Sequence, residues 1–136
     1  MPERAANLRA DLILKAMIAV ASADAGGLED SEISLMQQVY EDQAKRPITP
    51  HEIAEVAEAT TRDGLLAELT AAAPVLDRET KEEIIRAAYL TLLADGHIAG
   101  EERKKLSDIA MALRVPEIHF GAILEDLAIW LTGQTS

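Results

Sequence analysis

One pattern occurs twice in this chain. Residues 15–24 read KAMIAVASAD and residues 86–95 read RAAYLTLLAD. Each is a basic residue, an apolar run, then Ala-Asp. Each leads into a Gly-containing turn, an aliphatic residue and an acidic cluster: AGGLEDSE at 25–32 and GHIAGEE at 96–102. Asp24 and Asp95 lie 71 positions apart, while Leu28 and Ile98, like Glu32 and Glu102, lie 70 apart. The first turn therefore carries one extra residue. A helix, an acidic turn and an acidic helix start, used twice, point to a duplicated helical domain. If the halves pack face to face, four or more carboxylates gather in one place.

The rest of the chain supports helices. Apolar residues recur at three- and four-residue spacing, no alternating stretch persists, and aromatic residues make up only 3%. The expected fold is all-α: a single compact bundle of about seven helices, one domain over residues 1–136, built from two pseudo-symmetric helix–turn–helix halves. The first helix is expected from about residue 4 to Asp24, with Leu8, Leu12, Ala16, Ala19 and Ala23 on one face. Gly26 and Gly27 end it, since Gly tolerates left-handed backbone. The second starts near Asp30, points Ile33, Met36 and Val39 inward, and stops before Pro47.

Thr49-Pro50-His51-Glu52 reads as a capping box with Pro at the first helical position. A fourth helix is expected around 63–73, closed by Pro74, and a fifth from Asp77 to Asp95. The fifth, with Ile84, Ile85, Ala88, Tyr89 and Leu92, is expected to be the most buried. A sixth covers about 100–113. Pro116 opens the last, which carries Ile118, Ile123, Leu127 and Trp130, and Gly133–Ser136 is expected to fray. Alanines in the repeated runs, at 16, 19, 23, 87, 88 and 94, should let those two helices approach closely.

Charge narrows the function. The formal net charge is −11 and the pI about 4.6, so nucleic acid is a poor partner, because phosphate binding needs concentrated Lys and Arg. Divalent cations or a basic protein patch suit this surface better. The chain has no cysteine, which removes disulfides, thiolate zinc sites and a Cys nucleophile. Leu12–Ala23 imitates the apolar core of a signal peptide, but Glu3, Asp11 and Lys15 spoil it, and the pattern recurs internally at 86–95. It reads as a core helix. No uncharged run approaches the roughly 18–20 residues of a membrane span. A cytoplasmic protein without membrane insertion is expected.

The second turn invites comparison with a calcium-binding EF-hand loop. Asp95, Gly96, Ile98 and Glu102 match loop positions five, six, eight and twelve, but positions one and three would be Thr91 and Leu93. Leu93 cannot ligate, and both fall inside the preceding helix, so only half a calcium loop is present. That half resembles the hallmark of the tellurite-resistance TerB-like family, a helix ending in Ala-Asp-Gly-x-aliphatic-x-x-x-Glu in each of two related halves. Ala94 through Glu102 matches closely, and Ala23-Asp24 through Leu28 to Glu32 matches with one residue inserted. The resemblance covers roughly residues 10–125. It implies a seven- or eight-helix domain with an acidic cluster suspected of binding divalent cations, in bacterial stress-response systems beside membrane-associated protein partners.

Carried over by motif, the metal-ligating candidates are Asp24, Glu32, Asp95 and Glu102. Carboxylate ligation favours hard cations such as calcium, magnesium or manganese, with zinc admitted only if His97 joins. The structural alternative is that Asp24 and Asp95 make turns while Glu32 and Glu102 complete helix caps. Two details oppose it. A box in the second turn would need a capping side chain at position 99, which is Ala. Asp24 and Asp95 also end helices, where a negative charge costs about 0.3–1 kcal/mol. His51 and His119 show no obvious ligand partner. No nucleophile motif or phosphate-binding Gly loop is present. The sequence thus favours a non-enzymatic module binding divalent cations, protein partners or both, over a metal-free scaffold and over a metal-dependent hydrolase.

Overall fold

In the computed structural model seven α-helices follow one another, with no strand among the described residues. They are α1 (Pro2–Ala21), α2 (Asp30–Ala44), α3 (Pro50–Ala59), α4 (Arg62–Ala72), α5 (Arg78–Asp95), α6 (Gly100–Ala112) and α7 (Glu117–Thr135). A 3-10 turn, Ala73–Val75, follows α4. The structure describes residues 2–21, 28, 30–95 and 100–135, of which 2–7, 62, 94, 95, 100–103 and 130–135 are described by backbone alone.

Local chemistry fixes where the helices begin. Thr49 and Glu52 form the expected capping box at α3: the Glu52 amide donates to Thr49 Oγ1 at 3.1 Å, and the Thr49 amide donates to Glu52 Oε1 at 3.1 Å. Thr61 Oγ1 accepts from the Gly64 amide at 3.0 Å, so α4 starts one residue before the expected position. Asp77 Oδ1 accepts from the Thr80 amide at 2.8 Å and opens α5. Each satisfies an amide that the first helical turn leaves without an intrahelical partner.

The second helix of each half ends alike. Lys45, after α2, has φ 60°, and Arg114, after α6, has φ 62°. The Lys45 amide donates to Glu41 O at 2.9 Å. After α6, the Arg114 amide donates to Met111 O at 3.0 Å and the Val115 amide to Ala110 O at 2.9 Å, the paired bonds of a Schellman motif. Pro follows two residues later in both, at 47 and 116.

The core is organised around α1. Leu12, Ile13, Leu14, Ala16, Met17, Ile18, Val20 and Ala21 are all buried, so its middle and end are covered on most sides, with only the stripe of Asp11, Lys15 and Ala19 left exposed or partly so. That corrects two expectations: among the described side chains α1, and not α5, is the most buried helix, and its buried surface is far wider than one stripe. Leu8 lies beyond that cover and is 46% exposed. Helix α5 contributes Ile84, Ile85, Ala87, Ala88 and Leu92, with Tyr89 packed at the margin. Ile118, one of the apolar residues of α7, is 90% exposed because it sits on the outer side of that helix. The segment from Gly133 to Thr135, expected to fray, continues α7.

The packing repeats as the sequence does. Helices α1 and α5 form the most extensive contact in the molecule, in keeping with buried Ala16, Ala87 and Ala88. Helix α1 packs on α2 as α5 packs on α6, and α2 packs on α5 as α6 packs on α1. Helix α3 lies against α1 and α2, while α7 lies against α5 and α6. These reciprocal pairings are those of two helix–turn–helix halves related by a pseudo-two-fold. Helix α4 stands outside the scheme and covers α6 and α1.

Candidate functional site

Both repeated turns link the first helix of a half to the second. Glu32 is the third residue of α2, and Glu102 is the third residue of α6, so the duplication holds at the backbone of both positions. Asp95 is the last residue of α5. The side chains of Asp95 and Glu102 lie outside the described residues, as do Asp24, Glu29 and His97 entirely and the Glu101 side chain. Leu28, the aliphatic position of the first turn, packs against the core as a partly buried residue.

Glu32 is the informative member. It is 1% exposed, and it is the one buried charged side chain among the described residues. Its neighbour Asp30, also in the first turn of α2, is exposed. Both carboxylates gain from the positive end of the helix dipole. Only Glu32 has also surrendered its water, a loss that a cation or hydrogen-bond donors must offset. Sequence reasoning selected Glu32 through its spacing to Glu102, but nothing in the sequence distinguishes it from exposed Asp30 in burial.

The EF-hand comparison fails on structure as well as on residue type. Thr91, at the first loop position, is fully buried within α5, and its hydroxyl donates to Ala87 O at 2.9 Å. Among the described residues no group of three or more metal-ligating side chains occurs, and no helix is long and apolar enough to cross a membrane.

Other polar arrangements lie away from the turns. His51 does have a carboxylate at helical spacing, contrary to expectation: its Nε2 is 2.8 Å from Glu55 Oε1 on the surface of α3. His119 Nε2 lies 3.0 Å from Glu82 Oε1 and 3.3 Å from Arg78 Nε, tying the start of α7 to α5. The Arg46 guanidinium lies 5.2 Å from the centroid of the Tyr40 ring and also donates to its hydroxyl. Burial raises the Tyr40 pKa, helped by Asp11 and opposed by Arg46. Gln37 Nε2 donates to Ile48 O at 3.0 Å and fixes the α2–α3 connection. Apart from the His51–Glu55 pair, which lies within α3, these contacts hold neighbouring segments together.

No protein-family model, characterised protein or solved structure matches the chain. The likeness to the TerB-like family therefore rests on the two turn motifs and on the duplicated helical order.

Proposed function

We propose that this protein is a non-enzymatic, acidic helical module that binds a divalent cation through its duplicated turns, with Asp24, Glu32, Asp95 and Glu102 as ligands. The observation that carries the reading is the burial of Glu32 at the start of α2. Carboxylate oxygens are ligands for calcium, magnesium or manganese; calcium accepts several of them in one shell, whereas magnesium usually takes one or two and keeps waters in the rest. Zinc joins the set only with a nitrogen from His97. The resemblance of the turns to the TerB-like motif supports extending this proposal to a bacterial stress response of the tellurite-resistance type, in the cytoplasm and beside a protein partner.

The reading is tested by amide NMR during titration with each metal in turn. A bound cation should shift the amides of both turns, 22–32 and 94–102, together and with one affinity. Shifts confined to one turn, or an unchanged spectrum up to millimolar metal, would leave a helical scaffold without a metal site as the better description.

A further inference from the structure

The duplication leaves one helix without a counterpart. Helix α4 seats on α6 and α1. Under the pseudo-two-fold α6 maps to α2 and α1 maps to α5, so the equivalent seat is the groove between α2 and α5. Among the described residues no helix fills it. What the structure shows there is a recess of about 880 Å³ lined by Leu35, Val39 and Asp42 of α2, by Lys45 just after it, and by Leu90 of α5. Ile109, on α6, is 2% exposed, whereas Val39, 70 residues earlier on α2, is only partly buried.

The anchoring charge is duplicated too. Lys15, the basic residue that opens the first repeat, reaches across to α4, with Nζ 2.9 and 3.1 Å from the two Glu68 carboxylate oxygens. Arg86 opens the second repeat, 71 positions later. It forms no ion pair with another helix among the described residues. Its guanidinium pairs with Glu83 of its own helix at 3.0 Å, and it lines a second recess of about 450 Å³ that shares Leu90 with the first, although Asp126 of α7 lines the same recess. Helix α4 shows what fits such a place. Leu65 and Leu69 are buried, and Glu68 beside them takes the cation.

We infer that the α2–α5 groove is a docking seat for an amphipathic helix of a partner protein. That helix presents leucines at i and i+4 to Leu35, Val39 and Leu90, and an acidic residue at i+3 to Arg86. This is the helix-in-groove mode of recognition, with anchors on one helical face. Rim residues Asp42 and Glu41 favour a basic residue on the outer flank of the same helix. The inference is independent of the cation reading.

The test uses the full chain in chelator, so metal plays no part. The probe is a fluorescent, covalently stapled helical peptide carrying this protein's own α4 sequence, residues 61–75. Fluorescence anisotropy should show saturable one-to-one binding. Arg86→Glu should weaken it by about tenfold, and a peptide with Glu68→Lys should recover the loss on that variant. Leu35→Gln, at a partly exposed site, should also weaken binding without changing the helical circular dichroism. Three results would overturn the inference. One is no saturation up to roughly 1 mM peptide, a very weak affinity by any standard. Another is binding that responds to Lys15→Ala and not to Arg86→Glu, since the peptide would then be exchanging with α4 at its own seat. The third is a dimer in sedimentation that Arg86→Glu dissociates, because the occupant would then be a second copy of this chain.

Discussion

Lys45 and Arg114 hold the same left-handed backbone, at φ 60° and 62°, one at the end of the second helix of each half. A side chain in that region crowds the neighbouring carbonyl, and helices usually place Gly there. Lys45→Gly and Arg114→Gly should each stabilise the protein by about 0.5–1 kcal/mol, after allowing for the greater unfolded-state freedom of Gly. Thermal melts should rise by roughly 2–4 °C for each, and the two gains should add, because the sites are independent. Val at either position should lower the melting temperature, since a β-branched side chain tolerates left-handed backbone least.

Gly121 offers a second opportunity on the surface of α7. It is exposed, and a methyl group there would meet nothing within 4 Å. Gly121→Ala should therefore stabilise by about 0.5–1 kcal/mol through helix propensity alone. Gly64, in the first turn of α4, is different. A Cβ there would come 2.7 Å from Thr61 Oγ1, the atom that caps the helix. Gly64→Ala should bring less gain than Gly121→Ala, or a loss, in parallel denaturant titrations.

Asp77 makes stability depend on pH. Its hydrogen bonds to the Thr80 side chain and amide hold its pKa below the ordinary value, with Arg9 assisting. A carboxyl whose pKa is lowered by folding stabilises the fold while ionised. That contribution is complete above the unfolded pKa and is lost as pH falls through the folded one. The melting temperature of Asp77→Ala should thus lie furthest below wild type near neutral pH, and the gap should close below about pH 3–4. Asp77→Asn keeps an acceptor for the Thr80 amide and should show a smaller gap at neutral pH.

Much of this architecture was legible in the residues. Helical periodicity, Pro positions and the Thr49–Glu52 box located the helices, because those signals act within one turn of chain. The repeated runs at 15–24 and 86–95 announced the duplication and the α1–α5 contact. Burial was less legible. Leu8 looks like a core residue by spacing, yet what decides its exposure is whether another helix happens to lie over it. The buried state of Glu32 was hidden for the same reason. So was the pairing of Lys15 with Glu68, which lie 53 positions apart on different helices. The matching ends at Lys45 and Arg114 had a signal, a basic residue two before Pro in each half, but only backbone angles give it meaning.

A cation shared by the two turns is tested most directly by Asp95→Asn. Gathered carboxylates repel one another when no metal is bound, and Asp95 also opposes the dipole at the end of α5. In chelator Asp95→Asn should therefore melt above wild type. With saturating calcium, magnesium or manganese the order should reverse, because a bound ion stabilises by RT ln(1 + [L]/Kd) and the variant loses that contribution. Glu32→Gln should follow the same crossover. If the two melting curves keep the same order with and without every metal tried, zinc included, the turns are structural and hold no shared cation.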